Sequence, residues 1–345
     1  MRAVVIHAAH DLRVDEMAAE EPRGAQVRVR IEAGGICGSD LHYYHEGGIG
    51  AQIRLAQPMV LGHEVSGRIE ALGADVTGLC IGQRVAVSPS RPCGRCRYCQ
   101  AGQQIHCLDM RFYGSAMRFP HVQGAFRESL VCDATQCHPV SERLSAGEAA
   151  MAEPLAVCLH GVRRAGPMLG RRVLVTGCGP IGALCVLAAR RAGAAEIVAT
   201  DINDTPGALV TAIGADRFIN TAKDSAAFES YAQDKGTFDA MLEASGSEKA
   251  LTSALPVMKP GGIIVQVGLG GSATLPINTL VAKELELRGT FRFHEEFALA
   301  VTLLDKGLIE VGPLITATLP FTDARAAFDL ASDRSRAMKV QLAFA

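Results

Sequence analysis

Cys93, Cys96, Cys99 and Cys107 follow one another in the spacing C-x2-C-x2-C-x7-C, inside the basic, proline-containing stretch SRPCGRCRYCQAGQQIHC. Four thiols this close form a closed tetrahedral thiolate set, the donor pattern of a structural zinc ion. A helix or strand would point neighbouring side chains apart. A loop wrapped around an ion turns all four inward, and such a lobe needs its ion to fold. A disulfide pair is the alternative for these thiols. A second set is dispersed along the chain. Cys37 stands in GGICGSD, His63 and Glu64 in LGHE, and Glu153 directly before Pro154. One thiolate, one imidazole and one or two carboxylates make an open catalytic zinc set, with a position left for water or substrate.

Taken singly, Cys37 also reads as a small buried apolar residue and His63 as a loop histidine. Their combination, glycine-framed and beside a nucleotide pattern, favours the metal. His63 and Glu64 are adjacent and can face one ion only across a turn. Glu64 therefore reads as an exchanging ligand or a supporting group, and the choice between Glu64 and Glu153 stays open. Ser39 and His42, two and five residues beyond Cys37, offer a hydroxyl proton a route to solvent. His42 reads equally well as an exposed loop histidine.

The nucleotide pattern is Gly177-Cys178-Gly179-Pro180-Ile181-Gly182, a G-x-G-x-x-G between the apolar run Arg172–Thr176 and an apolar helix expected over Ile181–Ala192. The first glycine permits a tight turn, the second a close approach to a pyrophosphate, and the third close packing of helix on strand. Nineteen residues after Gly182, Asp201 ends the next strand, where a carboxylate accepts hydrogen bonds from ribose hydroxyls. A solvated turn acid is the plainer reading of Asp201. No Arg or Lys lies between Asp201 and Asp216 to offset a 2′-phosphate, so NAD is preferred over NADP.

The elements that must position these groups fall into two patterns. Residues 1–150 show short alternating runs broken by glycine. Val27, Val29, Ile31 and Ala33 alternate with charged residues, and Glu64–Leu72, Arg84–Ser88 and Phe126–Cys132 are further strand candidates. After Pro154, strands at 172–176, 196–200, 238–243 and 263–267 alternate with helices, which means a parallel sheet with crossover helices. The expected organisation is a β-rich domain over 1–153 and 291–345, with the metal lobe at about 90–110, and a doubly wound α/β domain over 154–290. A chain of 345 residues suits two domains, and its net charge of −2 leaves no footprint for nucleic acid or an anionic membrane. The N-terminal run has no apolar signal-peptide core, no stretch approaches a membrane span, and eleven cysteines argue against a fully paired disulfide framework. A cytoplasmic location is expected.

With these residues in view, the chain resembles the zinc-containing medium-chain dehydrogenases, in the polyol branch with sorbitol and xylitol dehydrogenases. The resemblance rests on GGICGSDLHYY, VLGHEVSGRIEALG, the cysteine lobe, AEPLAVCLHG, GCGPIG, VGLG and GTFRF. GSDLHYYHEGGIG, CLDMRFYGSAMRFPHVQGAF and LRGTFRFHEEF bring it closest to the L-idonate 5-dehydrogenases. It implies a GroES-like catalytic domain and a Rossmann coenzyme domain. It also implies a catalytic zinc on Cys37, His63 and Glu64 or Glu153, and a second zinc in the lobe, since all four cysteines are kept. Tyr43, Glu153, Arg292 and Phe293 match substrate-contacting positions of that family. Ile181, Asp201, Val267, Gly268, Leu269 and Phe291 match cofactor-contacting ones. The activity implied is NAD-linked oxidation of a secondary alcohol, L-idonate to 5-ketogluconate, by a homo-oligomer, tetramer or dimer. Neutral polyols or threonine are the alternative substrates, and a non-catalytic zinc or nucleotide binder is the rival class. Arg111 lies in a stretch that is apolar in sorbitol dehydrogenases, so it is a candidate to bind the substrate carboxylate. It also reads as a surface arginine with its stem over Phe112 or Tyr113.

Overall fold

The computed structural model describes residues 1–344, in two compact units: Met1–Glu153 with Phe297–Ala345, and Pro154–Glu296. The return to the first unit comes at Phe297, six residues later than the sequence pattern places it. The intervening residues are held by the second unit's own hydrogen bonds. His294 N–H donates to Glu296 Oε2 (3.1 Å), and the Glu296 carboxylate lies 3.0 Å from His160 Nδ1 and accepts from Arg163 (2.7 Å).

The first unit is organised on the strand Gln26–Gly35. Its Val27, Val29, Ile31 and Ala33 are buried while Arg28, Arg30 and Glu32 reach the outer face, the period-2 pattern of a half-buried strand. It lies inside a seven-stranded sheet in the order Cys137–Pro139, Arg84–Val87, Glu64–Leu72, Gln26–Gly35, Lys339–Ala343, Ile315–Pro320, with Ser129–Asp133 also paired to Gln26–Gly35. Two register pairs matter for function: Gly35 is opposite Glu64 on one side and Gln341 on the other. Val27, Ile31, Phe126, Leu130, Phe328 and Leu342 are fully buried members of one core, each contributing about 1.5–3 kcal/mol by leaving water. The strand expected at Phe126–Cys132 begins only at Ser129. Ahead of it, the N–H groups of Ala125 and Phe126 bond to Gly62 O and Leu61 O, so this stretch clamps the loop before His63 instead of joining the ladder.

The second unit is a six-stranded, wholly parallel sheet in the order Arg217–Asn220, Glu196–Asp201, Arg172–Thr176, Phe238–Glu243, Met258–Gln266, Glu286–Gly289. Numbered along the chain, that order is 3-2-1-4-5-6, the doubly wound arrangement that binds dinucleotides where the order reverses. The first strand's Val173–Val175 are wholly buried, as a sheet covered on both faces requires. Its C-terminal end delivers the chain to the helix Pro180–Arg191, with Gly179 at the N-cap and proline at the first turn, where its missing N–H costs nothing.

Candidate active site

Cys37 is the N-cap of the helix Gly38–Glu46. Asp40 closes the cap by accepting the Cys37 N–H at Oδ2 (3.0 Å), and its Oδ1 accepts the Gly62 N–H (3.1 Å). One fully buried carboxylate thus fixes both loops that carry the candidate ligands, and it stands 3.8 Å from His63 Nδ1. Gly62 has φ +91, and a Cβ there would meet the Phe126 ring at 2.1 Å, so no other residue fits this bend before His63. The strand Glu64–Leu72 then starts on Glu64, and its pairing with Gly35 turns the carboxylate inward.

The result is a compact donor set. A sulfur of Cys37, a ring nitrogen of His63 and a carboxylate oxygen of Glu64 lie within 4.8 Å of one another. Glu153, buried at the start of the helix Ala152–Ala165, lies outside that set yet close enough to feel its charges. Burial pushes the Glu153 carboxyl up to about 8, reinforced by Glu64 and Cys37 and opposed by His63 and Lys339. Burial and the Glu64 carboxylate push the Cys37 thiol up to about 12, although Lys339 and a hydrogen bond from Ser39 pull the other way. Lys339, from the C-terminal strand, makes an ion pair with Glu64 and donates to Ile36 O (3.0 Å). Burial draws its ammonium toward the neutral form, but Glu64 and then Cys37 hold it above the usual lysine range.

A metal ion fits this set on two observations. Buried His63 Nδ1 has no hydrogen-bond partner among the described residues. Burial also pushes the Cys37 thiol and the neighbouring Glu153 carboxyl toward their protonated forms, and a divalent cation would take the place of such protons. The other residues proposed around it lie as follows. Ser39 is on the same first turn as Cys37, and His42, on the next, is 3.1 Å from Glu46 at Nδ1 and partly exposed. Tyr43 is buried, its hydroxyl accepting the Ala116 N–H (2.9 Å). Phe112 packs its ring 5.5 Å from the His63 imidazole. Arg111, its neighbour in the strand Arg111–Phe112, is exposed on the opposite face, away from His63. The structure therefore does not bring Arg111 to this cluster.

The four-cysteine segment closes on itself. The sulfurs of Cys93, Cys96, Cys99 and Cys107 all lie within 4.8 Å of one another, and none is in a disulfide. Backbone N–H groups point at them: Cys93 N and Asp109 N donate to Cys107 Sγ at 3.1 and 3.3 Å. Hydrogen bonds from the backbone of Cys99 and Leu108 bring the Cys96 thiol down to about 6, while burial pushes Cys99 up to about 12. Amide donors aimed at sulfur favour thiolates, the form that binds zinc.

In the second unit, Gly182 lies so close to the preceding turn that a Cβ would stand 1.7 Å from Gly177 O. Asp201 braces the same loop: Oδ2 accepts Cys178 N–H (2.7 Å) and Oδ1 accepts Asn203 N–H (2.9 Å). Glu243, which no sequence signal marks, is fully buried at the end of the neighbouring strand. It accepts from Thr176 Oγ1 (3.2 Å), Ser245 N (2.9 Å) and Gly246 N (3.0 Å). Its carbonyl also receives Val267 N and Gly268 N (both 2.8 Å), so it ties together the loops beside the glycine turn. Leu269 is exposed at the end of that stretch. Phe293 is buried, whereas Phe291 is partly exposed under the Arg292 guanidinium, 4.8 Å from its ring centre. Arg292 has φ +54, an uncommon backbone state for a non-glycine residue.

This architecture is that of a two-domain dehydrogenase, and comparison with known proteins agrees. Residues 23–142 match the alcohol dehydrogenase GroES-like domain, and residues 180–306 match the zinc-binding dehydrogenase domain. The chain is 45% identical over 317 residues to an L-idonate 5-dehydrogenase (NAD(P)(+)) of Escherichia coli K12, covering 92% of this chain and 91% of that protein. It is 36% identical to a probable D-xylulose reductase A of Neosartorya fischeri, covering 94% and 91%. The crystal structure of the Escherichia coli K-12 L-idonate 5-dehydrogenase superposes with a TM-score of 0.95 at 42% identity, over 99% of this chain and 97% of that one. The chain belongs to the zinc-binding dehydrogenase family with a GroES-like domain, and is an oxidoreductase of its alcohol and polyol class.

Proposed function

We propose that this protein oxidises a secondary alcohol of a sugar acid with NAD, taking L-idonate to 5-ketogluconate. The observation that carries the reading is the enclosed Cys37, His63 and Glu64 set in a chain 45% identical to an L-idonate 5-dehydrogenase. Neutral polyols form the second reading, favoured by the 36% identity to a probable D-xylulose reductase.

In this proposal Cys37, His63 and Glu64 hold a catalytic zinc, with Glu153 the alternative carboxylate, and the four lobe cysteines hold a second. When bound, zinc would supply Lewis acidity toward the alcohol oxygen and NAD would supply the hydride-accepting ring. The chain's own residues do the rest. Lys339 neutralises Glu64, which leaves that carboxylate free to exchange its partner. Ser39, bonded to the Cys37 sulfur, would relay the substrate's hydroxyl proton, releasing its own toward His42 and solvent as it accepts the substrate's. Loss of the O–H proton and of the C–H hydride together leaves the ketone. Asp201 receives the ribose hydroxyls on lone pairs not taken by Cys178 and Asn203, and the turn at Gly177, Gly179, Pro180, Ile181 and Gly182 faces the pyrophosphate. Val267, Gly268, Leu269 and Phe291 are the further cofactor contacts of this proposal. Tyr43, Arg292 and Phe293 contact substrate, and the strained backbone of Arg292 accords with a side chain held for binding. NAD is preferred because Asp201 repels a 2′-phosphate.

A homo-oligomeric state, tetramer or dimer, and a cytoplasmic location belong to the same proposal; light scattering and cell fractionation test them. Among the described residues no helix is long and apolar enough to cross a membrane. The deciding experiment is a panel of L-idonate, sorbitol, xylitol and L-threonine with NAD and NADP, read as reduced cofactor. A higher kcat/KM for sorbitol or xylitol than for L-idonate would overturn the substrate assignment.

A further inference from the structure

Arg111 borders a cavity. Together with Arg91, Arg118 and Arg127 it surrounds a pocket of about 430 Å³ in the first unit. These four cations are unequally matched. Arg118 is paired with Asp109. Arg91 reaches Asp133 only at 3.5 Å, and Arg127 reaches Glu20 only at 3.5 Å, where Glu20 is itself 61% exposed. The Arg111 side chain makes no hydrogen bond or ion pair among the described residues. Arg127 is the telling member: it is 5% exposed, and its Nε–H has no acceptor. A buried donor left unmatched costs about 1–3 kcal/mol, more when it is charged.

The remaining wall sets the kind of ligand. His121 lies 2.8 Å from Arg118 O at Nδ1 and accepts Ala56 N–H at Nε2 (2.9 Å), so it is fixed as the neutral Nδ1–H tautomer and adds no charge. Gln123 uses its oxygen on Val60 N–H (2.8 Å), which leaves its amide NH₂ as a further donor. Phe119, Pro120 and Val122 supply an apolar side. Several guanidinium groups lining one cavity suit an anion with several equivalent oxygens. One guanidinium fork satisfies a carboxylate, whereas three guanidiniums suit a doubly charged phosphate. The volume is ample for more than a bare phosphate.

We propose that this pocket binds a small phosphate monoester, its phosphate on Arg91, Arg111 and Arg127 and its organic part against Phe119, Pro120 and Val122, apart from the Cys37, His63 and Glu64 set. The separation follows from the strand Arg111–Phe112, which sends Phe112 to His63 and Arg111 to the other face.

Isothermal titration of the zinc-loaded, NAD-bound enzyme tests this with glucose 6-phosphate, inorganic phosphate and glucose as probes. Glucose 6-phosphate should saturate, phosphate should compete with it, and glucose should not bind. Arg111→Gln and Arg91→Gln, both at exposed positions, should each weaken binding by about ten-fold or more, the loss of a charge-assisted contact. Their kcat/KM for alcohol oxidation should stay within about two-fold, as for surface changes generally. Glucose 6-phosphate binding should persist in Cys37→Ser. The proposal fails if wild type shows no saturable binding, if neither arginine variant weakens it, if glucose binds as tightly, or if Cys37→Ser abolishes it.

Discussion

Lys339 and Glu64 form an ion pair in which the two side chains are only 3% and 1% exposed. A buried pair is sensitive to the loss of one member, because the survivor is left charged without a partner; such losses cost about 3–5 kcal/mol. Lys339→Met should therefore lower the melting temperature sharply. Adding Glu64→Gln should recover part of the stability but not the activity. A double variant less stable than Lys339→Met would contradict the pairing as the source of the effect.

The two proposed zinc sites should fail differently. Cys37→Ser should abolish turnover with a small change in melting temperature, since an open site contributes little to folding. Cys96→Ser should lower stability or solubility, because the lobe's sulfurs have no other reason to face one another. Mass-spectrometric metal analysis should find two zinc ions per active chain, and one in either variant. One zinc in fully active wild type would defeat the assignment.

Asp201 has two tasks in the structure, and substitution should separate them. Asp201→Gly with Asn203→Arg should narrow the NAD over NADP preference by about ten-fold or more, through lost repulsion and a gained phosphate partner. The same variant should also melt earlier, because Cys178 N–H and Asn203 N–H lose their acceptor. Equal use of both cofactors by wild type would remove Asp201 as the selector.

Glu296 predicts an acid limit for the second unit. Burial disfavours its charged form, but hydrogen bonds from His160 and from the His294 and Glu296 backbone prevail and bring the carboxyl down to about 2 from 4.5. A carboxyl lowered on folding stabilises the protein above its unfolded pKa, and that contribution is lost as pH falls through the folded one. The stability advantage of wild type over Glu296→Gln should be constant above pH 5 or so and should vanish between 4.5 and about 2. Melting curves that stay a fixed distance apart down to pH 2 would show that Glu296 acts without its charge.

The zinc lobe and the glycine turn were legible because each is a local pattern, with every member inside one short stretch. The family followed from them, and the parallel sheet from runs such as Arg172–Thr176 that are buried on both faces. Asp40, Lys339 and Glu243 were not legible, for one shared reason. Each acts on backbone or side chains brought near by folding, and none sits in a spacing that betrays it. Lys339 begins a strand, KVQLA, whose polar and apolar alternation suggests one wet face. In the fold Lys339–Leu342 are all buried, because the strand lies inside its sheet between Gln26–Gly35 and Ile315–Pro320. Where Arg111 points was not legible either, because composition marks a basic residue but the pleat of the strand Arg111–Phe112 sets its face.

The donor set is assembled from distant parts of the chain. Lys339 bonds to Ile36 across 303 positions, and the whole of Pro154–Glu296 lies between them in sequence. On a ribosome the thiol, imidazole and carboxylate of the first unit emerge early, but the strand that brings their lysine is made after the second unit is finished. That second unit is one uninterrupted segment and can fold as it appears, while the first must wait, its sheet open along the edge of Gln26–Gly35. Order of synthesis alone thus favours a nucleotide-ready unit before a metal-ready one. It also leaves Cys37, His63 and Glu64 exposed in the nascent chain, where a premature ion would meet donors still without their counter-charge.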